Sequence, residues 1–92
     1  MIRSFADKAT QMLFEEGRHR SFGTASAAAL RKLKQLDLVE QLNDLRFPPG
    51  NRLEHLKRDR LGQHSIRVND QYRMCFLWTD SGPEDVQITD YH

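Results

Sequence analysis

The spacing of the hydrophobic residues changes once along the chain, at the sequence Pro48-Pro49-Gly50. Before this point apolar residues recur at the spacing of an amphipathic helix, and after it they alternate as in a half-buried strand. Two prolines followed by a glycine cannot continue a helix and favour a turn. The chain is therefore expected to fold as helices followed by strands, which is the order of an α+β domain.

The first half predicts two helices. The first covers residues 6–16 and is expected to stop at Gly17. The residues that share its apolar face are Ala9, Leu13 and Phe14. The second covers residues 24–37, with Thr24 and Ser26 as candidate N-caps. The residues expected to face the core from this helix are Ala27, Ala29, Leu30, Leu33 and Leu36. The segment between the two helices reads as a loop.

The second half predicts an antiparallel sheet. The segments that alternate as strands are residues 52–56, 64–68, 72–79 and 86–90. The links between them are short and rich in turn residues, which is typical of a meander. A further short strand is expected at residues 2–5. The expected fold is therefore a short N-terminal strand and two helices packed on one face of a mainly antiparallel sheet of four to five strands.

The alternation in the strands assigns an inner and an outer face to the sheet. The residues expected to point towards the helices are Ile66, Val68, Tyr72, Met74, Phe76, Trp78, Val86 and Ile88. The outer face is expected to present Arg67, Arg73 and Tyr91. A guanidinium group matches phosphate oxygens and a tyrosine ring stacks on an unpaired base, so this face suits RNA. Antiparallel sheets also commonly have one face that is simply solvated, and this interpretation stays open.

Length and composition limit the class of protein. A chain of 92 residues is expected to form a single domain, residues 1–92. Its one cysteine, Cys75, excludes an internal disulfide framework and a thiolate zinc cluster. No apolar stretch approaches the roughly 18 residues of a membrane span, and no signal peptide is recognisable, so a cytoplasmic protein without a membrane partner is expected. Residues 46–73 hold seven basic and three acidic residues, which makes this segment locally basic.

Three segments of the sequence resemble the HigB toxins, the plasmid-killer branch of the RelE superfamily. They are the opening Met-Ile-Arg-Ser-Phe of residues 1–5, the run from Gly62 to Phe76, and the closing Asp90-Tyr91-His92. Together with residues 48–54, the central run is especially similar to the GraT-type members. The resemblance covers essentially the whole chain, and the family's order of two helices followed by an antiparallel sheet agrees with the order read from the spacing.

The resemblance implies a toxin of a type II toxin–antitoxin system that acts as a ribosome-dependent mRNA endonuclease. The implied partners are the ribosome and mRNA, a HigA-like helix-turn-helix antitoxin, and operator DNA only through the antitoxin complex. The ribose 2′-OH is tethered beside the scissile phosphate, so its attack needs no metal and no cofactor. Two alternatives stay open: a non-catalytic RNA- or protein-binding module that regulates its own operon with a partner, and a ribonuclease that needs no ribosome.

The resemblance also assigns roles to the last residues. In the family the terminal motif is linked to activity, so Asp90, Tyr91 and His92 are candidate catalytic residues. An imidazole exchanges a proton near neutral pH, which suits His92 as acid or base. Tyr91 would stack on or hydrogen-bond the nucleotide, and Asp90 would orient a neighbour or act as a base. Arg73 is expected to face the scissile phosphate, with Lys57 as its helper.

One position departs from the family pattern. Many HigB toxins have a histidine where this chain has Glu54. The adjacent His55 would face the opposite side of a strand, because neighbouring residues in a strand alternate. Glu54 is therefore either an alternative base or a charged residue at the edge of the sheet.

Five further arginines are candidates for binding phosphates of rRNA or mRNA, because docking on the ribosome is largely electrostatic. They are Arg46, Arg52, Arg58, Arg60 and Arg67. A solvated charged surface is the alternative interpretation for these residues.

Overall fold

The computed structural model describes residues 1–90 of the chain. Tyr91 and His92, two of the candidate catalytic residues, lie outside the described residues. The helices are α1 (Lys8–Glu16) and α2 (Ser26–Leu38), and the strands are β1 (Glu54–His55), β2 (Gln63–Arg67), β3 (Tyr72–Thr79) and β4 (Gly82–Asp90). Short 3-10 helices occupy connections at Arg20–Ala25, Leu42–Arg46, Pro49–Asn51 and Arg58–Arg60. The expected α+β order of helices before sheet is confirmed.

The four strands form one antiparallel sheet in the order β1-β2-β3-β4. The N-terminal segment runs beside β4, where Phe5 forms an isolated parallel bridge with Val86. The strand expected over residues 2–5 is therefore reduced to a bridge. The physical reason is a bulge in β4 at Asp85, whose positive φ of 51° interrupts the edge that the segment pairs with. The amide of Asp85 donates instead to the hydroxyl of Ser4 at 2.9 Å.

Helix α1 begins and ends at recognisable caps. The carboxylate of Asp7 accepts a hydrogen bond from the amide of Thr10 at 2.8 Å, so the helix begins after Asp7. Gly17 ends it with a left-handed φ of 89°, and its amide donates to the carbonyl of Leu13 at 2.9 Å. The stop predicted at Gly17 is confirmed.

Helix α2 begins differently from the prediction. Its N-cap is Ala25, without a side-chain hydrogen bond, so Thr24 and Ser26 are wrong as capping residues. The reason is that a 3-10 turn ending at Ala25 runs directly into α2, and the amide of Ser26 donates to the carbonyl of Gly23. The segment read as a loop is therefore formed by two short 3-10 turns that meet at a kink at Gly23, where φ is 50° and ψ is −127°, and Phe22 is buried in the core.

Three strands have other bounds than the sequence pattern predicts, whereas β3 has the predicted bounds. β1 is only two residues long because Arg52 before it adopts a left-handed φ of 47°. β2 begins and ends one residue earlier than expected. β4 begins at Gly82, before the bulge, because an extra residue breaks the alternation that a sequence pattern relies on.

The core lies between the two helices and the inner face of the sheet. Its fully buried apolar residues are Leu13, Ala29, Leu33, Leu36, Leu45, Ile66, Met74, Phe76 and Val86. The expected inner face is confirmed, with Tyr72 and Trp78 partly buried against this cluster. Ala27 is exposed, so its assignment to the core is wrong: the buried side of α2 runs through residues 29, 33 and 36 and leaves Ala27 on the opposite side.

Candidate active site on the outer face of the sheet

A small cavity lies at the end of the sheet where β2 turns into β3. Its volume is about 190 Å3 and it is lined by Arg52, Glu54, Arg67, Asn69, Asp70, Gln71 and Arg73. Arg67 and Arg73 are directly opposite each other on neighbouring strands, as the outward alternation predicts. Four of the residues singled out from the sequence are thus brought together: Arg52, Glu54, Arg67 and Arg73.

Arg73 is held rigidly at this cavity. Its Nε donates to the hydroxyl of Ser65 at 2.9 Å, and its Nη2 donates to the carbonyl of Arg52 at 2.8 Å. Glu54 Oε1 lies 3.7 Å from the same Nη2. Only 14% of the Arg73 side chain is exposed. Among residues 1–90, Nη1 of Arg73 has no hydrogen-bond partner, so this donor is available to a ligand.

The carbonyl that holds Arg73 is positioned by the turn at Pro49–Asn51. Arg52 ends this 3-10 turn in the left-handed region, which places its carbonyl within reach of the guanidinium. The side chain of Asn51 is fully buried below the turn. Its Nδ2 donates to the carbonyls of Leu45 and Phe47, both at 3.1 Å. The turn is therefore fastened to the protein by a side chain that sequence reasoning missed.

A second set of contacts joins Asn51 to α2. Its Nδ2 also donates to Gln35 Oε1 at 3.2 Å, and its Oδ1 accepts from Lys32 Nζ at 2.6 Å. Partial burial, with a smaller contribution from neighbouring Arg31, lowers the pKa of Lys32. The helix layer and the cavity on the other side of the sheet are thus connected through one buried amide.

Replacing Asn51 by alanine is expected to lower the free energy of unfolding by about 1–3 kcal/mol, because buried partners lose their hydrogen bonds. Denaturant unfolding measures this change. The control is Asn43→Ala, since Asn43 is exposed and, within residues 1–90, its side chain bonds only to Arg46 Nε, at 3.1 Å. The control is expected to stay within about 0.5 kcal/mol of the parent. Equal effects of the two substitutions would contradict the role given to Asn51.

The turn between β2 and β3 forms the far wall of the cavity. The side chain of Asn69 accepts hydrogen bonds from the amides of Gln71 at 2.9 Å and Tyr72 at 2.8 Å, which fixes the turn. Arg67 forms an ion pair with Asp70, and 35% of the Arg67 side chain is exposed. Arg67 is therefore more accessible than Arg73 and shares its charge with a carboxylate.

Asp90 lies at the end of β4, beside this turn. It is the register partner of Tyr72, whereas Thr89 is the partner of Arg73. By the alternation of the strand, Asp90 is therefore on the side of Tyr72 and is exposed there at the end of the sheet. Gln71, which lines the cavity, donates from Nε2 to Asp90 Oδ2 at 3.3 Å. Tyr91 and His92 follow beyond the described residues.

Glu54 and His55 occupy opposite sides of β1, as the alternation of a strand requires. Glu54 pairs with Ser65 at the cavity, and 53% of its side chain is exposed. His55 pairs with His64, and the two rings lie 4.7 Å apart. Burial and the neighbouring His55 lower the pKa of His64. His55 therefore lies away from the cavity, and Glu54 is the residue of β1 that lines it.

Within residues 1–90, five of the predicted residues are not part of the cavity lining: Asp90, whose place is given above, and Lys57, Arg58, Arg46 and Arg60. Lys57 and Arg58 are exposed at the turn after β1, and Arg46 is exposed at the end of the 3-10 helix Leu42–Arg46. Arg60 is engaged within the protein: Nη1 donates to Gln63 Oε1 at 3.1 Å and Nη2 donates to Gln87 Oε1 at 3.0 Å. Arg58 has no ion pair within the described part of the chain, which leaves its charge accessible.

Cys75 lies on the outer face but is fully buried. It pairs with Ser65 on one side and with Gln87, a partner of Arg60, on the other. Burial raises the pKa of the Cys75 thiol despite the opposing effect of nearby Arg60 and Arg73. The thiol therefore stays protonated near neutral pH and is not a nucleophile.

Residues 1–90 contain no group of three or more histidine, cysteine, aspartate or glutamate side chains arranged to hold a metal ion. In the same range, no helix has the length and the apolar character that crossing a membrane requires.

This architecture has a counterpart among solved structures. The fold resembles a chain of the YoeB-YefM complex from Staphylococcus aureus with a TM-score of 0.59 at 19% sequence identity, covering 100% of this chain and 95% of that chain. This likeness shows that the two chains share a fold.

Sequence comparison defines the family. The family model described as the RelE-like toxin of the type II toxin-antitoxin system HigB matches residues 3–92. Toxin HigB-1 of Vibrio cholerae serotype O1 is 46% identical over 82 residues, which are 87% of this chain and 86% of that toxin. An uncharacterized protein of Haemophilus influenzae is 43% identical over 51 residues, 55% of this chain and 50% of that protein. The chain belongs to the HigB-like toxin family and is a type II toxin, whose partner is an antitoxin.

Proposed function

We propose that this toxin is a ribosome-dependent mRNA endonuclease, acting in the cytoplasm as a single domain, with the cavity around Arg73 as its active site. The observation that carries the proposal is the fixed arrangement of Arg73. Its guanidinium is anchored on Ser65 and on the Arg52 carbonyl, with the carboxylate of Glu54 3.7 Å away. A guanidinium that is already fixed in place before the substrate binds is suited to binding a phosphate, and the carboxylate beside it is suited to accepting a proton.

The charge around the cavity supports a phosphodiester as ligand. Three guanidinium groups, those of Arg52, Arg67 and Arg73, line it against two carboxylates. In the transition state, negative charge grows on the non-bridging phosphate oxygens. A guanidinium that needs no reorganisation stabilises this charge by about 3 kcal/mol where water is excluded. Arg73 is the least exposed of the three and is the residue we assign to this role.

The reaction we propose is attack of the ribose 2′-OH on the adjacent phosphate. Glu54 takes the proton of the 2′-OH, the O2′–P bond forms, and the P–O5′ bond breaks. His92 gives a proton to the leaving 5′ oxygen, which balances the step. The products are a 2′,3′-cyclic phosphate and a 5′-OH, and no metal or cofactor enters this route. Asp90 would orient His92, Tyr91 would stack on the nucleotide, and Lys57 would add positive charge.

In this proposal the ribosome aligns the mRNA at the active-site cavity of the toxin. Arg73 and Glu54 lie at a small cavity on the outer face of the sheet rather than in a deep cleft, so we expect the alignment of the mRNA to come from the ribosome. Alignment of the 2′ oxygen with the phosphorus lowers the activation free energy by several kcal/mol, because the entropy of bringing the two atoms together has already been lost. The exposed arginines outside the cavity, Arg46 and Arg58, are candidates for rRNA phosphate contacts.

The ends of the RNA fragments test this chemistry directly. Purified toxin is incubated with programmed ribosomes and an mRNA of known sequence, and the fragment ends are identified by mass spectrometry. We expect a 2′,3′-cyclic or 3′-phosphate on the upstream fragment and a 5′-OH on the downstream fragment. A 2′-deoxy nucleotide at the cleavage position is expected to block the reaction. A 5′-phosphate, or cleavage of the 2′-deoxy substrate, would contradict the proposal.

Replacing Arg58 by alanine is expected to weaken ribosome binding and to flatten its salt dependence. Each lost phosphate contact lowers the slope of log affinity against log salt by about 0.7–0.9. Arg60→Ala is expected to change this slope less, because Arg60 is engaged with Gln63 and Gln87. Lys8→Ala, an exposed change on α1, is the control. Ribosome affinity is measured at several salt concentrations, and an unchanged slope for Arg58→Ala would remove Arg58 from the interface.

The partner side of the proposal follows from the family. A HigA-like helix-turn-helix antitoxin is expected to bind the toxin, and the pair is expected to contact operator DNA through the antitoxin. A toxin that binds the antitoxin but never cuts mRNA would instead be a regulatory binding module. The fragment analysis separates these two functions, because a binding module leaves the mRNA intact.

A further inference from the structure

A large groove lies in the helix layer, on the other side of the molecule from the active-site cavity. It has a volume of about 1110 Å3 and runs between the end of α1 and the beginning of α2. We call it the helical groove. Met12, Ala27 and Leu30 form its apolar part, and Gly17 also lines it. None of these residues has a role in the proposed cleavage.

The rim of the helical groove is basic. Arg18, Arg20 and Arg31 line it and are exposed, against Glu16 as the one acidic residue of the lining. Within residues 1–90, none of these arginines takes part in an ion pair. An apolar floor between unpaired cations is a surface for a ligand that is apolar along one side and acidic at its flanks.

We propose that the helical groove binds an acidic amphipathic helix of the antitoxin. The inference rests on the antitoxin partner of the proposed function and names the surface of the toxin that meets it. Apolar residues on one face of such a helix would cover Ala27 and Leu30, and its flanking carboxylates would pair with Arg18 and Arg31. The position of the groove between two helices, with an apolar floor and a charged rim, fits the helix-in-groove mode of recognition.

The same observations disfavour two other occupants. A second copy of this chain would bring an identical basic rim against the first, and like charges across an interface repel. RNA is disfavoured because single-stranded recognition relies on exposed rings, and the one ring in the lining, that of His19, is already engaged. Its Nδ1 accepts from the amide of Ser21 at 3.1 Å, and the ring packs against Phe22 at 6.0 Å.

The helical groove also has a physical connection to the cleavage machinery. Beside it, the ring of Phe22 meets Tyr72 edge-on at 5.8 Å, and the Tyr72 hydroxyl donates to the carbonyl of Ser21 at 3.4 Å. Tyr72 precedes Arg73 and pairs with Asp90. An antitoxin helix seated in the groove would therefore contact the segment that supports this end of the sheet.

The test measures binding of the purified antitoxin encoded beside the toxin gene to full-length toxin variants. The double variant Arg18→Glu/Arg31→Glu is expected to bind the antitoxin at least about a hundredfold more weakly, because two attractive contacts become repulsive. Ala27→Gln, which fills the floor without changing the charge, is expected to weaken binding about tenfold. Lys34→Glu, an exposed change on α2 outside the groove, is the control and is expected to bind like the parent.

The outcomes separate this inference from the proposed nuclease function. The groove variants are expected to fold, to cut mRNA at the rate of the parent, and to escape neutralisation by the antitoxin. If the antitoxin binds them as it binds Lys34→Glu, the inference is wrong, whether or not the toxin cuts mRNA. If they keep antitoxin affinity but lose ribosome affinity, the groove is an RNA contact and the inference is also wrong. If the charge variant does not fold, Ala27→Gln decides by the same criteria.

Discussion

Replacing Arg73 by glutamine is expected to lower the rate of mRNA cleavage by about 10²- to 10³-fold, the usual cost of removing a fixed donor to developing charge. Arg73 is the residue of the cavity whose guanidinium is anchored on both sides, on Ser65 and on the Arg52 carbonyl. Lysine is expected to restore little activity, because an ammonium group cannot hold both anchors and a phosphate in one plane. Cleavage is followed as the rate of fragment formation on programmed ribosomes.

The control for Arg73→Gln is Arg3→Gln, because Arg3 is exposed and far along the chain from the cavity. Since Arg73 also bonds within the protein, the variant's thermal unfolding and antitoxin binding are measured in parallel. A folded Arg73→Gln variant that binds the antitoxin and still cuts mRNA at the parent rate would show that the charge stabilisation comes from another group.

Replacing Glu54 by glutamine is expected to lower cleavage by about 10²- to 10⁴-fold, the range that a general base contributes. Glutamine keeps the size of the side chain but cannot accept the proton of the 2′-OH. We expect the limb of the rate–pH profile that reports the base to disappear in Glu54→Gln. The opposite limb, which reports the acid, is expected to disappear in His92→Gln.

Glu40→Gln serves as the matched control, since Glu40 is exposed beyond the end of α2. The alternative for Glu54 is a charged edge residue that only pairs with Arg73. In that case Glu54→Gln would reduce the rate equally at every pH, and the base would have to be sought in the terminal motif, at Asp90 or His92.

The parts of the fold that follow from side-chain periodicity could be predicted. The apolar alternation of residues 72–79 gave the bounds of β3 and placed Arg73 opposite the core, because each step along a strand reverses the side-chain direction. Where the backbone departs from a regular period, the pattern failed. The bulge at Asp85 hid the first half of β4, and the left-handed Arg52 shortened β1.

Some residues of the active-site cavity could likewise be predicted from the sequence, and others could not. Alternation pointed to Arg67 and Arg73, and the family resemblance pointed to Glu54. Ser65 and Asn51 were missed because their roles exist only in the folded protein, as a hydroxyl under a guanidinium and an amide under a turn. Ser65 had a weak signal, since it lies on the outward stripe of β2. A buried polar side chain such as Asn51 leaves no signal in periodicity.

The active-site cavity and the helical groove are separate surfaces, and we assign a different function to each. Catalysis is assigned to the outer face of the sheet, and antitoxin recognition to the helical groove in the helix layer. Tyr72 connects the two, through Phe22 on one side and through its register partner Asp90 on the other. The linings of the two surfaces share no residue, so variants on each can be combined, and a departure from independent effects on cleavage and neutralisation would measure coupling through Tyr72.

The most direct measurement of the central claim is a primer-extension map of one mRNA incubated with the purified toxin, with and without ribosomes. We expect cuts within codons of the reading frame when ribosomes are present, no cuts in free mRNA, and loss of the cuts with Arg73→Gln. Equal cutting of free mRNA would make the protein a ribosome-independent ribonuclease. No cutting in either condition, by toxin that still binds its antitoxin, would contradict the nuclease assignment.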